Sequence, residues 1–396
     1  MSGISIRVVT ELKEFKSLFE VWNALLQMSG GDNSIYITHE WLSTWWMHFG
    51  KGRKLNILLL EKGHRVIGIF PLMRTEYRIG LAKYNFLETI GTLDCNYLGI
   101  IPPQHSEEIV SALLAYLQEQ LDKNKLVLRL TQVPDDSKLL DLLRRSSFQF
   151  SRRLFIQETT MNLAPYISLP ANWEDYFHSL SRNMREMLHR KLRTLEKRHS
   201  VGFQVCTTDT LEDSLNEFFH LHQKRWQSVN VSGIFSDPRM KEFYRDIANQ
   251  FIKKNWLHFS LLTIDGGVVS ARYCFLYNGR FYDAILARDI EYSYYNVGHI
   301  HTMYLIKDAI ARNLREFDFL SGAEPYKFHW TKSSRKYLQI IVIKRGLCPR
   351  LRLKFLGILL RLHEIRQYGL KEIYPRYMIR RREERERKKM GGGTLV

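Results

Sequence analysis

The sequence is poor in cysteine and proline, and it lacks a long uninterrupted apolar run. Its 396 residues include 4 cysteines and 10 prolines. The cysteines lie far apart and form neither a C-x-x-C motif nor a Cys/His spacing, which excludes the usual disulfide and zinc patterns and indicates buried thiols in a reducing compartment. We therefore expect no metal. The four are Cys95, Cys206, Cys274 and Cys348.

No segment reaches the roughly 18 consecutive apolar residues that a membrane-spanning helix needs. The first residues, MSGISIRVVTELKEF, are typical of a strand and an amphipathic helix rather than of a signal peptide. Both features favour a cytoplasmic location. Apolar residues make up 45% of the chain and aromatic residues 13%, which excludes a disordered protein. At this length two compact units are expected.

The positive charge is concentrated near the C-terminus. Between Lys344 and Lys389 there are 16 Lys and Arg against 5 Asp and Glu, so this stretch supplies 11 of the net charge of +18. The preceding part of the chain is only mildly basic. This distribution predicts an anionic partner for the tail. It does not favour a core that binds nucleic acid.

The first unit, residues 1–165, has patterns that predict helices, a hairpin, and then strands alternating with helices. The hairpin joins Leu55–Glu61 to Val66–Met73, and Pro165 and Pro170 are expected to bracket a linker. The other predicted elements are helices at Leu12–Met28, His39–Phe49, Ser106–Asp122 and Ser137–Arg145, and strands at Phe86–Ile90, Asn96–Ile100 and Leu126–Val133.

The second unit, residues 166–346, begins with helices and continues as a meander. Its turns contain Asp265-Gly266 and Asn278-Gly279, which are strong hairpin signals. Because both halves share this layout, we predict an α/β (α+β) protein with two mixed, mostly antiparallel sheets flanked by helices, and a basic helical tail at 347–396. The predicted elements are helices at Ser181–His199, Leu211–Gln227 and Gly298–Asn313, and strands at Trp256–Ile264, Val268–Tyr277, Phe281–Ala287, Phe317–Leu320 and Tyr337–Lys344.

The stretch from Asp283 to Trp330 is the most informative part of the sequence. A strand ends at Ala287, a tyrosine-rich loop leads to Asn296-Val297-Gly298, and a helix follows. The free N–H groups and the dipole at such a helix start can bind a pyrophosphate. A plain strand-to-helix connection is the alternative, because a single glycine is a weak motif.

Five stretches together resemble a known enzyme family. They are THEWLSTWW at Thr38–Trp46, GIFPLM at Gly68–Met73, CNYLGI at Cys95–Ile100, HQKRWQS at His222–Ser228 and, most specifically, FDFLSGAEPYKFHW at Phe317–Trp330. Over roughly residues 1–346 the chain resembles the CelD/BcsL-like branch of the GNAT acyltransferase superfamily. It is also similar to the FemAB peptidoglycan amino-acid transferases, which are paired GNAT folds.

The resemblance implies tandem GNAT-like domains, the first with a degenerate phosphate turn and the second binding acyl-CoA. The expected reaction moves an acyl group, acetyl in the simplest case, from acyl-CoA to an amine or hydroxyl of a sugar. The acceptor would be a nucleotide-linked or lipid-linked precursor of a surface polysaccharide. Two alternatives stay open: FemAB-like transfer of an amino acid to a cell-wall precursor, and a non-catalytic scaffold in exopolysaccharide or cellulose synthesis.

The resemblance also implies a set of ligands for the CoA phosphates. Gly298, with Asn296, Val297 and His299, would hold the pyrophosphate at the helix start. The usual GNAT loop, Arg/Gln-x-x-Gly-x-Gly/Ala, is reduced here to the single glycine. Lys327, in the turn that follows the last core strand, would neutralise a phosphate of the donor or the acceptor.

Direct acyl transfer needs a base, an acid and stabilisation of the oxyanion. Asp283, a carboxylate in an apolar strand, is one candidate base; solvent exposure or pairing with Arg272 or Arg288 is its alternative. Glu324 and Tyr326 lie in a turn fixed by Gly and Pro, where Tyr326 would protonate the leaving group. A loop that merely places aromatic side chains in the core is the competing interpretation of that turn.

A helix face and a basic helix complete the candidates. His222, Arg225 and Trp226 share one helix face by their spacing, with His222 as a fourth catalytic candidate and the other two as acceptor ligands. Arg185 belongs to a basic helix whose charges either bind a phosphate-bearing acceptor or only face solvent.

The tail is predicted to be a basic amphipathic helix. Residues 350–389 combine an apolar side containing Leu353 and Leu356 with a cationic side. Such helices bind anionic membrane surfaces. A peripheral position on the inner face of the membrane, or a membrane enzyme as partner, is therefore expected. Docking of the apolar side on the protein itself is the alternative.

Overall fold

A computed structural model of the chain describes residues 3–28, 33–79, 82–92, 107–124, 126–137, 140–145, 153–228, 231–346, 348–349, 351 and 353–358. The chain forms two compact units. Of the described residues, the first unit contains those up to Asn162 and, after a long interval, those from Arg335 to 358, whereas the second contains Leu163–Ser334. The boundaries predicted at 165 and 346 for separately folding domains stay a prediction.

Most helices of the described residues have one buried face, as their apolar spacing predicts. The helices at His39–Phe49 and Val297–Ala311 are buried on more than one side. A 3₁₀ turn precedes α3 at Ile35–Ile37, and others lie at Ile234–Ser236, Glu291–Tyr295 and Pro325–His329. The helices are α1 (Leu12–Ser17), α2 (Phe19–Met28), α3 (His39–Phe49), α4 (Glu107–Asn124), α5 (Trp173–Ser179), α6 (Arg182–Glu196), α7 (Leu211–Gln227), α8 (Pro238–Ile252) and α9 (Val297–Ala311).

The strands lie in groups between these helices along the chain. They are β1 (Ile4–Val9), β2 (Lys54–Lys62), β3 (Arg65–Ile79), β4 (Ala82–Thr89), β5 (Val127–Pro134), β6 (Leu154–Ser168), β7 (Val201–Val205), β8 (Leu257–Ile264), β9 (Gly267–Tyr277), β10 (Arg280–Arg288), β11 (Glu316–Asp318) and β12 (Ser334–Lys344).

The sheet of the first unit has the order β1-β2-β3-β4-β5-β12. Its neighbours are antiparallel except β4 and β5, which are parallel and have α4 between them in the chain. Leucines of α4 pack on this sheet: Leu113 and Leu117 are buried in the same cluster as Leu128 of β5 and Ile340 of β12. The strand that completes this unit thus comes from the far end of the chain.

The sheet of the second unit repeats that arrangement in the order β7-β8-β9-β10-β11-β6. Its neighbours are antiparallel except β10 and β11, which are parallel and have α9 between them. Here the last strand precedes the rest in the chain. The predicted fold class, two mixed and mostly antiparallel sheets flanked by helices, is confirmed.

The structure corrects several predicted elements. The first helix is interrupted at Leu18, and β7 and α8 were not foreseen. The segment expected to be a linker between Pro165 and Pro170 is in part strand, because β6 runs to Ser168 and pairs with β11. Pro165 has no N–H to donate, and its carbonyl accepts a hydrogen bond from the N–H of Phe319 at 3.0 Å, so proline is compatible with this strand. The predicted strand Asn96–Ile100 lies outside the described residues.

The tail begins by docking on the first unit. Leu353 and Leu356 are buried against Phe86, Val127 and Ile343. This part of the apolar side therefore packs on the protein itself, as the alternative to membrane binding proposed. Most of residues 350–389 lies outside the described part. Among the helices of the described residues, none is long and apolar enough to cross a membrane.

Candidate active site

The parallel strands β10 and β11 separate shortly after they pair. Their ladder ends at Tyr282 and Asp318, where β11 also ends. β10 continues to Arg288, and its pairing with β9 is irregular just after Asp283. Two parallel strands that part in this way leave an opening beside the backbone of β10. Backbone groups at such an opening can bind an extended amide-containing ligand.

Helix α9 begins at the same end of β10. Its N-cap, Asn296, has a left-handed φ of 55°, and its side chain makes no capping hydrogen bond to the helix. The Asn296 carbonyl already accepts from two later N–H groups, at 2.9 and 3.1 Å. The N–H groups of Val297 and Gly298 are the first of the helix, and among the described residues neither donates a backbone hydrogen bond to the 3₁₀ turn that precedes it. A Cβ at Gly298 would lie 3.6 Å from Cδ of Arg288, so this arginine packs directly over the helix start.

A buried ion pair fixes β9, β10 and α9 to one another. One guanidinium nitrogen of Arg272 donates to both carboxylate oxygens of Asp283, at 2.9 and 2.7 Å. The other donates to the Gly298 carbonyl at 3.1 Å and to Oγ1 of Thr302 at 2.5 Å. Burial is the largest single effect and opposes the charge of Arg272, but the attraction of Asp283 and smaller contributions from Tyr326 and Cys274 together raise the pKa of Arg272. Asp283 thus has the pairing with Arg272 that was the alternative to its role as a base.

The loop after β11 closes around a lysine. Nζ of Lys327 lies 3.2–3.3 Å from the three successive carbonyl oxygens of residues 320–322 and 2.8 Å from a carboxylate oxygen of Glu324. Lys327 is 4% exposed. We call Leu320–Gly322, Glu324 and Lys327 the lysine cage. These oxygens use all the donors of the ammonium, so Lys327 is not the phosphate ligand that the sequence suggested.

Tyr326 and His299 bring the loop and the start of α9 together. Their ring centroids are 6.4 Å apart, and His299 also stacks on His329 at 5.7 Å. Burial raises the pKa of Tyr326, which keeps its hydroxyl protonated. Burial, and next the charge of His329, lowers the pKa of His299 to about 4, so this imidazole is neutral near pH 7. In the described part of the chain its buried Nδ1 has no hydrogen-bond partner.

Two arginines meet near this opening without a carboxylate partner among the described residues. Arg225 comes from α7 and Arg288 from the end of β10. Lys224 contacts the carboxylate of Asp289 at 2.9 Å, which holds the end of α7 beside the residue after Arg288. The guanidinium of Arg225 lies 5.3 Å from the ring centroid of Trp226. Burial, and next the charge of Arg288, lowers the pKa of Arg225. A pair of partly buried cations in this setting favours an anionic ligand.

His222 is placed in the core rather than at the opening. Its Nε2 accepts a hydrogen bond from the indole N–H of Trp226 at 3.0 Å, and its ring packs 4.7 Å from that of Phe235. A Cβ at Gly233 would lie 2.9 Å from both His222 and Trp226. Burial lowers the pKa of His222 to about 4. An uncharged histidine with this packing serves to fix Trp226, so a role as base would require the pair to separate.

Arg185 is placed at the end of α5. Its guanidinium donates to the carbonyl oxygens of His178 and Leu180, at 2.6 and 2.8 Å. These are carbonyls that the last turn of α5 leaves without helical partners. The structure therefore assigns Arg185 a capping contact, and nothing in it brings Arg185 to the acceptor residues predicted on α7.

Residues 182–328 match the family described as Acetyltransferase (GNAT) domain. This segment is similar to a GNAT acyltransferase domain. The matched segment contains the strand separation, the start of α9 and the lysine cage. The predicted enzyme class, a GNAT-type acyltransferase, is thereby confirmed. No curated protein matches the chain.

Solved structures support the same fold at low sequence identity. The structure of FemX has a TM-score of 0.58 and 11% identity, covering 88% of this chain and 99% of FemX. The C-terminal domain of a putative lysylphosphatidylglycerol synthetase from Agrobacterium fabrum has a TM-score of 0.52 and 8% identity, covering 88% and 97%. A conserved protein of unknown function from Bacteroides thetaiotaomicron has a TM-score of 0.51 and 11% identity, covering 86% and 100%. These likenesses concern the fold alone.

The roles of the predicted site residues stay predictions, and the structure places two arginines beside them. The residues of the phosphate turn, Tyr326 and Arg225 lie around one opening. Arg288 was named only as a possible partner of Asp283, although an arginine ending the strand before a phosphate turn is itself a signal. Arg272 was named in the same way, and the structure shows its pairing with Asp283. Among the described residues, no group of three or more His, Cys, Asp or Glu is arranged to hold a metal ion.

Proposed function

We propose that the GNAT domain transfers an acyl group, acetyl in the simplest case, from acyl-CoA to an amine or hydroxyl of a sugar-containing precursor of a surface polysaccharide. The observation that carries the proposal is the separation of β10 from β11 next to a helix start with two free N–H groups. The backbone of β10 can bind the amide-containing end of an extended thioester, and the helix start can bind its anionic end.

The donor would be held by the chain's own groups in two places. The N–H groups of Val297 and Gly298, with the guanidinium of Arg288, suit the pyrophosphate. Glycine leaves room for this approach, because its only close neighbour at the Cβ position is the stem of Arg288. The pantetheine amides suit the exposed backbone of β10 beyond Tyr282. Asn296 and His299 would flank this site.

The reaction needs one proton taken and one proton given. An acceptor amine or hydroxyl attacks the thioester carbon, a C–N or C–O bond forms, and the C–S bond breaks. We assign proton removal from the acceptor to the carboxylate of Glu324, whose side chain is 41% exposed. Tyr326 then donates its proton to the leaving thiolate, since its raised pKa keeps that proton in place until it is needed. Asp283 and His222 support this site through Arg272 and Trp226.

The acceptor is proposed to carry a phosphate. The guanidinium of Arg225 lies over the ring of Trp226 and is repelled by the charge of Arg288. A bound anion would therefore reduce the repulsion between the two guanidinium groups. A nucleotide-linked or lipid-linked sugar has such a phosphate. The segment Phe317–Trp330 supports membership of the CelD/BcsL-like branch. The basic tail at 350–389 supports a site of action next to an anionic membrane or a membrane enzyme.

A FemAB-like aminoacyl transfer is the second candidate. The likeness to FemX over most of both chains favours it at the level of fold, and the basic face of α6 suits a polyanionic donor. A scaffold without activity is the third, favoured only by the reduced glycine pattern of the phosphate turn.

The deciding experiment is a thermal-shift titration of the full chain with CoA, acetyl-CoA and longer acyl-CoAs. A ligand at about 100 times its dissociation constant adds about 2.7 kcal/mol. For a unit of this size that corresponds to a rise in Tm of about 5–10 °C. The expected result is such a rise for acetyl-CoA and, for the variant Gly298→Asp, at most about half of it, because binding at least tenfold weaker leaves about 1.4 kcal/mol or less. No response to any thioester would reject the proposal and direct the search to aminoacyl-tRNA.

A further inference from the structure

Lys327 is a buried charged residue that the proposed reaction does not use. Its Nζ lies 3.3, 3.2 and 3.3 Å from the carbonyl oxygens of residues 320, 321 and 322, and 2.8 Å from the Glu324 carboxylate. An ammonium has three N–H donors and no acceptor. Four oxygens therefore surround three N–H donors, and none of these donors remains for a substrate.

The backbone of the lysine cage is bent to make this arrangement. Three successive carbonyls can face one cation only where the chain leaves the extended conformation, in which neighbouring carbonyls point in opposite directions. Leu320 has φ 58° and Gly322 has φ 123°. The left-handed region is unfavourable for leucine, and the Leu320 N–H is held there by Oδ1 of Asp318 at 2.7 Å.

Glycine at position 322 is required by the same cage. A Cβ there would lie 2.5 Å from Oε2 of Glu324. Only a residue without a side chain lets the carboxylate reach across its own loop to the ammonium. The cage thus combines a strained leucine, an obligatory glycine and a buried lysine within a few residues of Tyr326. Backbone strain of this kind is concentrated at functional sites.

We propose that Lys327 is a positioning residue whose ammonium acts as a built-in cation, holding the loop that presents Glu324 and Tyr326 to the opening between β10 and β11. Without the cation, three carbonyl oxygens and a carboxylate face one another with no compensating charge. The loop then opens, and Glu324 and Tyr326 lose their placement. The effect on rate rests on the proposed function, whereas the cation site itself does not.

The test replaces the covalent cation with a soluble one. Lys327→Ala keeps Cβ and removes the remaining three carbons and the ammonium, which together correspond to propylammonium. We expect the full-length variant to melt several degrees below wild type and propylammonium chloride to raise its Tm in a saturable way. The same salt should restore the hydrolysis of acetyl-CoA, in which water takes the place of the acceptor, acetate forms and CoA is released. Tetramethylammonium, which carries the charge without N–H donors, should do neither. Wild type and Lys332→Ala, which removes an exposed lysine nearby, are the matched controls.

Lys327→Met covers the case in which the alanine variant does not fold. It keeps the length of the side chain without donors, so we expect kcat for CoA release to fall at least tenfold while the Kd for acetyl-CoA stays within twofold. A kcat equal to that of wild type overturns the proposal, and so does an equal response to propylammonium and tetramethylammonium. If wild type neither binds nor turns over acetyl-CoA, the proposed function fails, and the propylammonium effect on Tm still decides whether the cage is a cation site.

Discussion

Asp283→Asn separates a structural role for Asp283 from a catalytic one. The carboxylate binds Arg272 through both oxygens at 2.9 and 2.7 Å, and both side chains are almost fully buried. Asparagine keeps the shape but leaves the guanidinium charge uncompensated. Breaking one partner of a buried pair destabilises a protein by about 3–5 kcal/mol. The other nitrogen of Arg272 keeps its bonds to Gly298 and Thr302, so we expect a value near the lower end.

The assay is urea unfolding of the full-length protein, monitored by a probe in the second unit. The double variant Arg272→Met with Asp283→Asn is the control, because it removes the charge together with its partner. It should be clearly more stable than the sum of the two single changes predicts. If Asp283→Asn unfolds within about 1 kcal/mol of wild type and yet loses its turnover about a thousandfold, Asp283 is the base and our reasoning is wrong.

Three other changes test the remaining parts of the site. Gly298→Asp should weaken acetyl-CoA binding at least tenfold without lowering Tm, because a carboxylate at the start of α9 repels the pyrophosphate; unchanged binding by calorimetry would remove α9 from the site. Tyr326→Phe should lower kcat about 100-fold. Because burial raises the pKa of Tyr326, the wild-type rate should not fall at alkaline pH until the pH exceeds the ordinary tyrosine pKa of about 10. His222 has a pKa of about 4 when folded, against about 6.5 unfolded. The unfolded state therefore binds more protons between these values, and stability should decline by about 3 kcal/mol as the pH falls from 6.5 to 4; His222→Phe should flatten that part of the Tm profile.

The sequence predicted best those features that depend on neighbouring residues. Asp265 and Asn278 have the left-handed φ values, 50° and 48°, that hairpin turns with a following glycine require. Turns of this kind can be predicted from the sequence because they depend on adjacent residues. The start of α9 was found for the same reason, because Asn296 and Gly298 mark it locally.

Features that depend on distant contacts were missed or misread. Pro165 and Pro170 suggested a linker, although Pro165 has a partner in Phe319 that lies far along the chain. Lys327 looked free to bind phosphate because nothing in the sequence announces that Leu320 adopts a left-handed conformation. Arg185 was read as a ligand for the acceptor, whereas its guanidinium closes the end of the preceding helix. In each case the partner that decides the role is a backbone group, which sequence patterns do not reveal.

The origin of the final strand in each unit limits where the chain can be cut. The GNAT match at 182–328 excludes β6, which covers the edge of β11, so a fragment with those ends would present an unpaired strand edge. Ending the chain at Ser334 would likewise expose β5 by deleting β12. Fragments cut at the family boundaries are therefore expected to aggregate through these unpaired strand edges, which are paired in the full-length chain. Useful fragments of the second unit must start no later than Leu163, so that Tyr166–Ser168 of β6 can pair with β11. The first unit needs β12 supplied as a separate segment or joined by circular permutation.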